Sequence, residues 1–273
     1  MRTHIQDIFL IKPELNAGEE DTAATWQTFG FVNGGDIEVN ENLKTEKAIG
    51  GIVRYYSIVE PSVSVDTLIT PADLSLFQSF CLENKSFTIL AGNPDYCVKF
   101  LGAFPSEISV DGKVGEALKV SVKFEVMDAD LTTPPATIPT PTGSPFLWYQ
   151  GVVTVAGNNY QVSEFKVSVK RNVKLEADFS ARPAGKKRTR NLWAFGLNEV
   201  ECSLSLFLPY TADFAADNIS PVDVFIGLDD TKSITLQNML VSRRRAPVKG
   251  GDDIWVLSLD LVGDNNSLVL DIE

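Results

Sequence analysis

Val59-Glu60-Pro61-Ser62-Val63-Ser64-Val65 has a counterpart 141 residues further on, Val200-Glu201-Cys202-Ser203-Leu204-Ser205-Leu206. Val, Glu and both serines match in place, and the remaining apolar positions match in kind. Both stretches alternate apolar and polar residues, the period of a strand with one buried face. Soon after each comes a second match, Thr70-Pro71-Ala72-Asp73-Leu74 against Tyr210-Thr211-Ala212-Asp213-Phe214. Upstream, Ile37 to Lys44 matches Val167 to Lys174 at an offset of 130. Downstream, Leu118 to Phe124 matches Trp255 to Leu261 in face parity at an offset of 137. Four anchors in one order predict a tandem duplication, which has to be settled before fold or function. The step from 130 to 141 places an 11-residue insertion in the second copy, near Ala181 to Arg190.

Working outward, the first copy reads as residues 1–131 and the second as 146–273. A linker, residues 132–145, carries five of the 14 prolines. Such a segment favours an extended path that spans about 40 Å. Strands are expected at Ile5 to Ile11, Phe29 to Val32 and Ile37 to Lys44, the last two joined by a turn at Asn33-Gly34-Gly35. Lys44 to Gly51 reads as a polar connection. Thr70 followed by Pro71 is a helix start, and Asp73 stands at capping-box spacing. Leu74, Phe77 and Cys81 then predict a helix over 71–83, with a shorter one over Thr211 to Asn218 in the second copy. Further strands are expected at Phe87 to Leu90, Tyr96 to Leu101, Glu107 to Val110 and Leu118 to Val126. In the second copy they fall at Val222 to Leu228, Ser233 to Val241, Ile254 to Val262 and Leu268 to Ile272.

The chain has 273 residues and a formal charge of −12, unevenly divided. Residues 1–131 hold 20 acids and 10 bases, residues 144–273 hold 16 acids and 14 bases. That balance speaks against a protein that grips nucleic acid. The local basic clusters, Arg182 to Arg190 and Arg243-Arg244-Arg245, suit contact with another copy of an acidic chain. No apolar run is long enough for a membrane span and no signal-like segment begins the chain, so it is expected to stay where it was made. Cys81, Cys97 and Cys202 are scattered in apolar surroundings and read as reduced, buried thiols.

No catalytic chemistry stands out. The one histidine, His4, is far from any serine or cysteine nucleophile context, and no spacing fits a zinc site. Asp229-Asp230 and Asp252-Asp253 do not fit a calcium loop, and Gly34-Gly35 and Gly250-Gly251 read as hairpin turns rather than phosphate loops. No enzyme, metal or cofactor is expected.

A duplicated β domain with one helix each, a proline-rich linker and an acidic surface resembles the tail tube (major tail) proteins of long-tailed bacteriophages. The resemblance implies a mainly β fold of two similar β-sandwich or partly closed barrel domains, each with one flanking helix. It implies self-assembly into stacked rings around a channel for the genome, within the virion tail, after assembly in the host cytoplasm. Single-domain members form sixfold rings, so a tandem copy implies three chains in a pseudo-sixfold ring. Tape measure, tail terminator and baseplate proteins are the further partners implied. The expected lumen-facing residues are Glu60, Ser62 and Ser64 in one copy and Glu201, Ser203 and Ser205 in the other; Lys119, Ser121, Lys123, Glu125, Ser258 and Asp260 are alternatives. The loop bearing Arg182, Lys186, Lys187, Arg188 and Arg190 is expected to bridge rings. Rival readings are a tail terminator, a baseplate piece and a carbohydrate-binding β-sandwich module.

Overall fold

The computed structural model describes residues 2–4, 8–40, 43–48, 51–56, 60–177, 190, 192–207, 220–245, 256–264 and 266–271. In chain order the elements are β1 (Arg2–His4), β2 (Ile8–Pro13), β3 (Phe31–Asn40), β4 (Leu43–Ala48), β5 (Gly51–Tyr56) and β6 (Glu60–Leu68). Helix α1 (Leu74–Leu82) follows, then β7 (Phe87–Asn93), β8 (Tyr96–Lys113) and β9 (Lys119–Thr132). Beyond the linker come β10 (Val153–Val155), β11 (Asn158–Tyr160), β12 (Val162–Glu176) and β13 (Leu192–Phe207). The chain closes with β14 (Val222–Gly227), β15 (Ser233–Arg245), β16 (Val256–Gly263) and β17 (Leu268–Asp271). The fold is mainly β, as the alternation predicts. Fifteen of the strands form one curled sheet, and β4 and β5 make a separate hairpin.

The two halves have the same strand order. In the first it runs β3-β6-β9-β8, with β7 on β8 and β2 on β7; in the second it runs β12-β13-β16-β15, with β14 on β15 and β10 on β14. The irregularities correspond too. Between β7 and β8 the register slips between Phe87 and Ile89, and between β14 and β15 it slips between Val222 and Val224. The residue that absorbs the slip is left-handed in both halves, Gly102 at φ +61 and Asn238 at φ +54. A second bulge leaves Ser106 over in β8 and Ser242 over in β15. Each donates its hydroxyl at 3.1 Å to a carbonyl of the neighbouring strand, Lys123 in one half and Asp260 in the other.

Register also corrects the match from which the repeat was read. Ile37 pairs with Val63 and Val167 pairs with Cys202. Holding Ile37 equivalent to Val167, Val63 therefore corresponds to Cys202, two residues from the expected Leu204. Ile37 and Val63 stand 26 residues apart, Val167 and Cys202 35 apart, so the second half is longer here by nine residues, not eleven.

Helix α1 forms as expected. Pro71 to Asp73 make one 3-10 turn, and the Asp73 carboxylate accepts the Thr70 N–H and hydroxyl, each at 2.8 Å. It also accepts the Gly30 N–H at 2.9 Å. Gly30 is at φ +62, and a Cβ there would stand 2.4 Å from the Leu68 carbonyl oxygen, so only glycine fits. Phe80 projects from α1 into edge-on contact with Phe29, Phe87 and Phe124 at 4.9–5.4 Å, the favoured aromatic geometry. The helix expected over Thr211 to Asn218 lies outside the described residues.

Four local readings change. Asn33-Gly34-Gly35 is no hairpin turn: β3 runs through it with a bulge between Val32 and Gly34, still paired to Asp66 and Val65 of β6. Glycines serve bulges as readily as turns, and pairing decides between them. Tyr96 to Leu101 and Glu107 to Val110 merge into β8, and the polar connection after Lys44 becomes β4. The linker does not bridge free space. Thr137 and Pro139 share a cleft with Lys12 and Trp26, and at its end the Phe146 N–H reaches the Ile69 carbonyl. Phe146 itself is buried in a hydrophobic cluster that continues from Phe9 in β2 to Leu270 in β17.

Candidate functional site

Each long strand places one row of side chains in the core and one on the opposite face. Pairing aligns those polar rows across neighbouring strands. One row runs Asp36, Ser64, Lys123, Glu107, Lys170, Glu199 from β3 to β13. Another runs Lys119, Asp111, Lys166, Ser203, Asp260, Arg243 from β9 to β15. Ser62, Ser64, Glu201, Ser203 and Ser205 all belong to this one face, with Glu60 exposed at its border. Lys119, Ser121, Lys123, Glu125, Ser258 and Asp260 lie on it as well, so the two sequence-derived sets are parts of a single surface.

That surface carries lysines, yet each of four has a carboxylate within reach. Lys119 lies 2.8 Å from Glu116, Lys123 3.6 Å from Glu125, Lys166 3.5 Å from Asp111 and Lys170 2.9 Å from Glu201. The hydrogen bond Lys119 donates to Glu116 raises the pKa of Lys119, and the one Lys170 donates to Glu201 raises that of Lys170. These pairs are solvated and add little stability. Their effect is electrostatic: cations already matched by carboxylates would displace few counterions from a polyanion.

Two stretches of the sheet's edge are complementary in kind. β8 beyond Glu107 pairs with β12 in seven antiparallel pairs, from Glu107↔Lys170 to Lys113↔Glu164, and this seam joins the halves. The strands holding the same places in the repeated order are β15 and β3. β15 from Leu240 onward has β16 on one flank and, among the described residues, no strand on the other. β3 at the far end carries only the three-residue β1 outside it.

In each half the stretch along or between the first two strands forms a paired arm. In the first, β4 and β5, which lie between β3 and β6 in the chain, pair with each other. In the second, β12 and β13 stay paired out to Glu176↔Leu192. Arg182, Lys186, Lys187 and Arg188 lie outside the described residues. Arg190 is described and turns inward, 9% exposed, donating from Nε to the Val126 carbonyl and from Nη2 to the Val126 and Pro61 carbonyls. Its Nη1 is 3.6 Å from Glu125. The expectation that Arg190 reaches outward with its loop is therefore corrected: it fastens the base of the second arm to the first half.

A family model described as phage tail tube protein matches residues 77–262, from within α1 to within β16. The chain belongs to the phage tail tube protein family. No curated protein matches it. Membership marks a structural, non-enzymatic protein of the virion tail, and takes precedence over the carbohydrate-binding, terminator and baseplate readings.

Sequence reasoning missed the residue that locks the two halves of this tail tube protein together. Arg171 of β12 is fully buried and donates to the Phe80 and Glu83 carbonyls at 2.7 Å each, and to Asn84 Oδ1 at 2.6 Å. It thus closes the C-terminus of α1, where unpaired carbonyls and the helix dipole favour a cation. Its guanidinium also stacks on the Phe195 ring at 4.6 Å, while Phe104 of β8 meets Trp193 and Phe195 of β13. The only hint in the sequence is an arginine inside a strand that otherwise alternates.

Three further features bear on chemistry. Cys81, Cys97 and Cys202 are free and buried, and burial pushes the thiols of Cys81 and Cys202 up to about 12, so neither is a nucleophile. Among the described residues no group of three His, Cys, Asp or Glu is placed to hold a metal, and no helix is long and apolar enough to cross a membrane. A cleft of about 500 Å³ opens at the seam between Leu118, Phe146, Val153 and Phe165 and is mostly apolar.

Proposed function

We propose that this tail tube protein is a tandem duplication that closes in threes into a pseudo-sixfold ring, and that stacked rings form the channel for genome passage. The observation that carries the reading is the β8·β12 seam. In it β8, fourth in the strand order of the first half, pairs with β12, first in the order of the second. β15 and β3 hold the corresponding places, β15 with a flank beyond Leu240 that no described strand covers and β3 with only β1 outside it. Repeating the seam between chains removes both edges, which a lone chain would otherwise expose to uncontrolled pairing. A rotation that carries one repeat onto the next, applied again between chains, gives a closed ring in place of a dimer.

The polar face supports the conduit reading. Its lysines are matched by carboxylates, and Glu60, Ser62, Ser64, Glu201, Ser203 and Ser205 add acid or neutral groups. Such a wall lets DNA slide without retaining it. The loop bearing Arg182, Lys186, Lys187 and Arg188 then contacts the acidic ring above or below. Tape measure, terminator and baseplate proteins are the natural partners of the lumen and of the two tube ends.

Negative-stain electron microscopy of the concentrated protein tests this. Filaments of uniform width with a stain-filled axis support it; a chain that stays solitary at millimolar concentration overturns it.

A further inference from the structure

β1 is short, yet its position is specific. It pairs antiparallel with β3 through Arg2↔Glu38, Thr3↔Ile37 and His4↔Asp36. With Ile37 equivalent to Val167, the same three places on β12 are taken by Ser109, Val110 and Asp111 of β8. β1 runs in the same direction as β8 does there, residue number rising as the partner's falls. It therefore imitates, in orientation and register, the strand that the neighbouring chain would supply.

The neighbour's strand fits that place by charge. The two bulges make Glu107 equivalent to Arg243 and Ser109 equivalent to Arg245. Transferring the seam register then puts Arg243 opposite Asn40 and Arg245 opposite Glu38. In the internal seam the acids lie on the incoming strand, Glu107 and Asp111, facing Lys170 and Lys166. Between chains the signs are reversed, with arginines on β15 and Asp36 and Glu38 on β3. The reversal also disfavours pairing β8 of one chain with β3 of another, since both edges would be acidic.

We propose that β1 is a displaceable plug: in the solitary chain it covers the edge of β3 that β15 of a second copy takes over during ring closure. This rests on the tube reading above. Three backbone pairs are enough to cap an edge and few enough to exchange for a longer strand. The bound state of β1 reduces the assembly-competent fraction of chains, so assembly waits for a neighbour able to displace it. Such a cap keeps an edge strand from pairing indiscriminately while leaving it usable.

Two variants of the full chain test it by light scattering and sedimentation. One lacks residues 2–7. The other carries Arg2→Cys and Glu38→Cys, which face each other and can be bridged within disulfide reach. The native cysteines are buried and do not compete. The truncation is expected to lower the critical concentration for tube formation about tenfold, the release of a self-bound fraction of that size. The stapled chain is expected to stay unassembled when oxidised and to assemble at the wild-type rate when reduced. An oxidised staple that polymerises like wild type overturns the plug and leaves the tube standing. A wild type and a truncation that both fail to polymerise overturn the tube itself.

Discussion

Replacing Arg171 by Met removes the guanidinium and keeps most of the apolar stem. Three short hydrogen bonds disappear, leaving the Phe80 and Glu83 carbonyls without that donor at the end of α1. Hydrogen bonds from a charged group contribute roughly 1.5–3 kcal/mol each when broken singly. Against that, Arg171 Nε has no partner among the described residues and burial lowers the arginine's pKa, so part of the gain already offsets desolvation. Removing one partner of a buried charged network costs about 3–5 kcal/mol in comparable settings, and about 3 is the expected net here because Met fills the space. For a chain of this size that is a fall of roughly 6–12 °C in Tm. Urea denaturation of wild type, Arg171→Met and Asn84→Ala measures it, with Asn84→Ala expected to lose about 1 kcal/mol. A loss under about 1 kcal/mol for Arg171→Met would show that α1 is held by its apolar face alone, and would refute the reasoning.

Further outcomes follow from the same geometry. Lys186, Lys187 and Arg188 replaced together by Glu should lower the rate of polymerisation in sedimentation assays without changing monomer Tm; unchanged tubes would remove the loop from the ring-to-ring contact. Glu20 accepts from Lys99 at 2.8 Å and lies 3.0 Å from the buried Lys12, and these partners, Lys99 first, hold its pKa below the usual glutamate value. A lowered folded pKa means stability that is present above the unfolded value, about 4.3, and lost as pH falls through the folded one. Glu20→Gln should therefore be less stable than wild type at pH 7 and converge with it toward pH 3 in urea titrations; a gap that stays constant counts against the pairing. Gly102→Ala should cost about 1–3 kcal/mol, because φ is +61 and the added Cβ would stand 2.9 Å from Met127 Cβ. Asn238→Gly, at the matching left-handed position, should be close to neutral by the same thermal melt.

Alternation is local, so the long strands were legible from sequence, along with their polar faces and the Thr70-to-Asp73 helix start. Register is a different matter. A period of two leaves a slip of two residues invisible, since the same face stays buried, and this moved the match of Val63 from Leu204 to Cys202. Asn33-Gly34-Gly35 misled for a related reason: a bulge and a hairpin turn call for the same residues, and only the partner strand tells them apart. Arg171 and Arg190 were unreadable because their ligands are carbonyls 64 to 129 residues distant in the chain. A basic residue in a polar stretch looks solvated until the fold brings those carbonyls to it.

Cryo-electron microscopy of the assembled tube addresses the central claim most directly, by locating β15 and β3 of neighbouring chains. Three chains per ring are expected, with Arg245 of one opposite Glu38 of the next and a seam that superposes on Glu107–Lys113 against Glu164–Lys170. Rings in which those two edges face solvent, or in which the halves bear no common rotation, would contradict it.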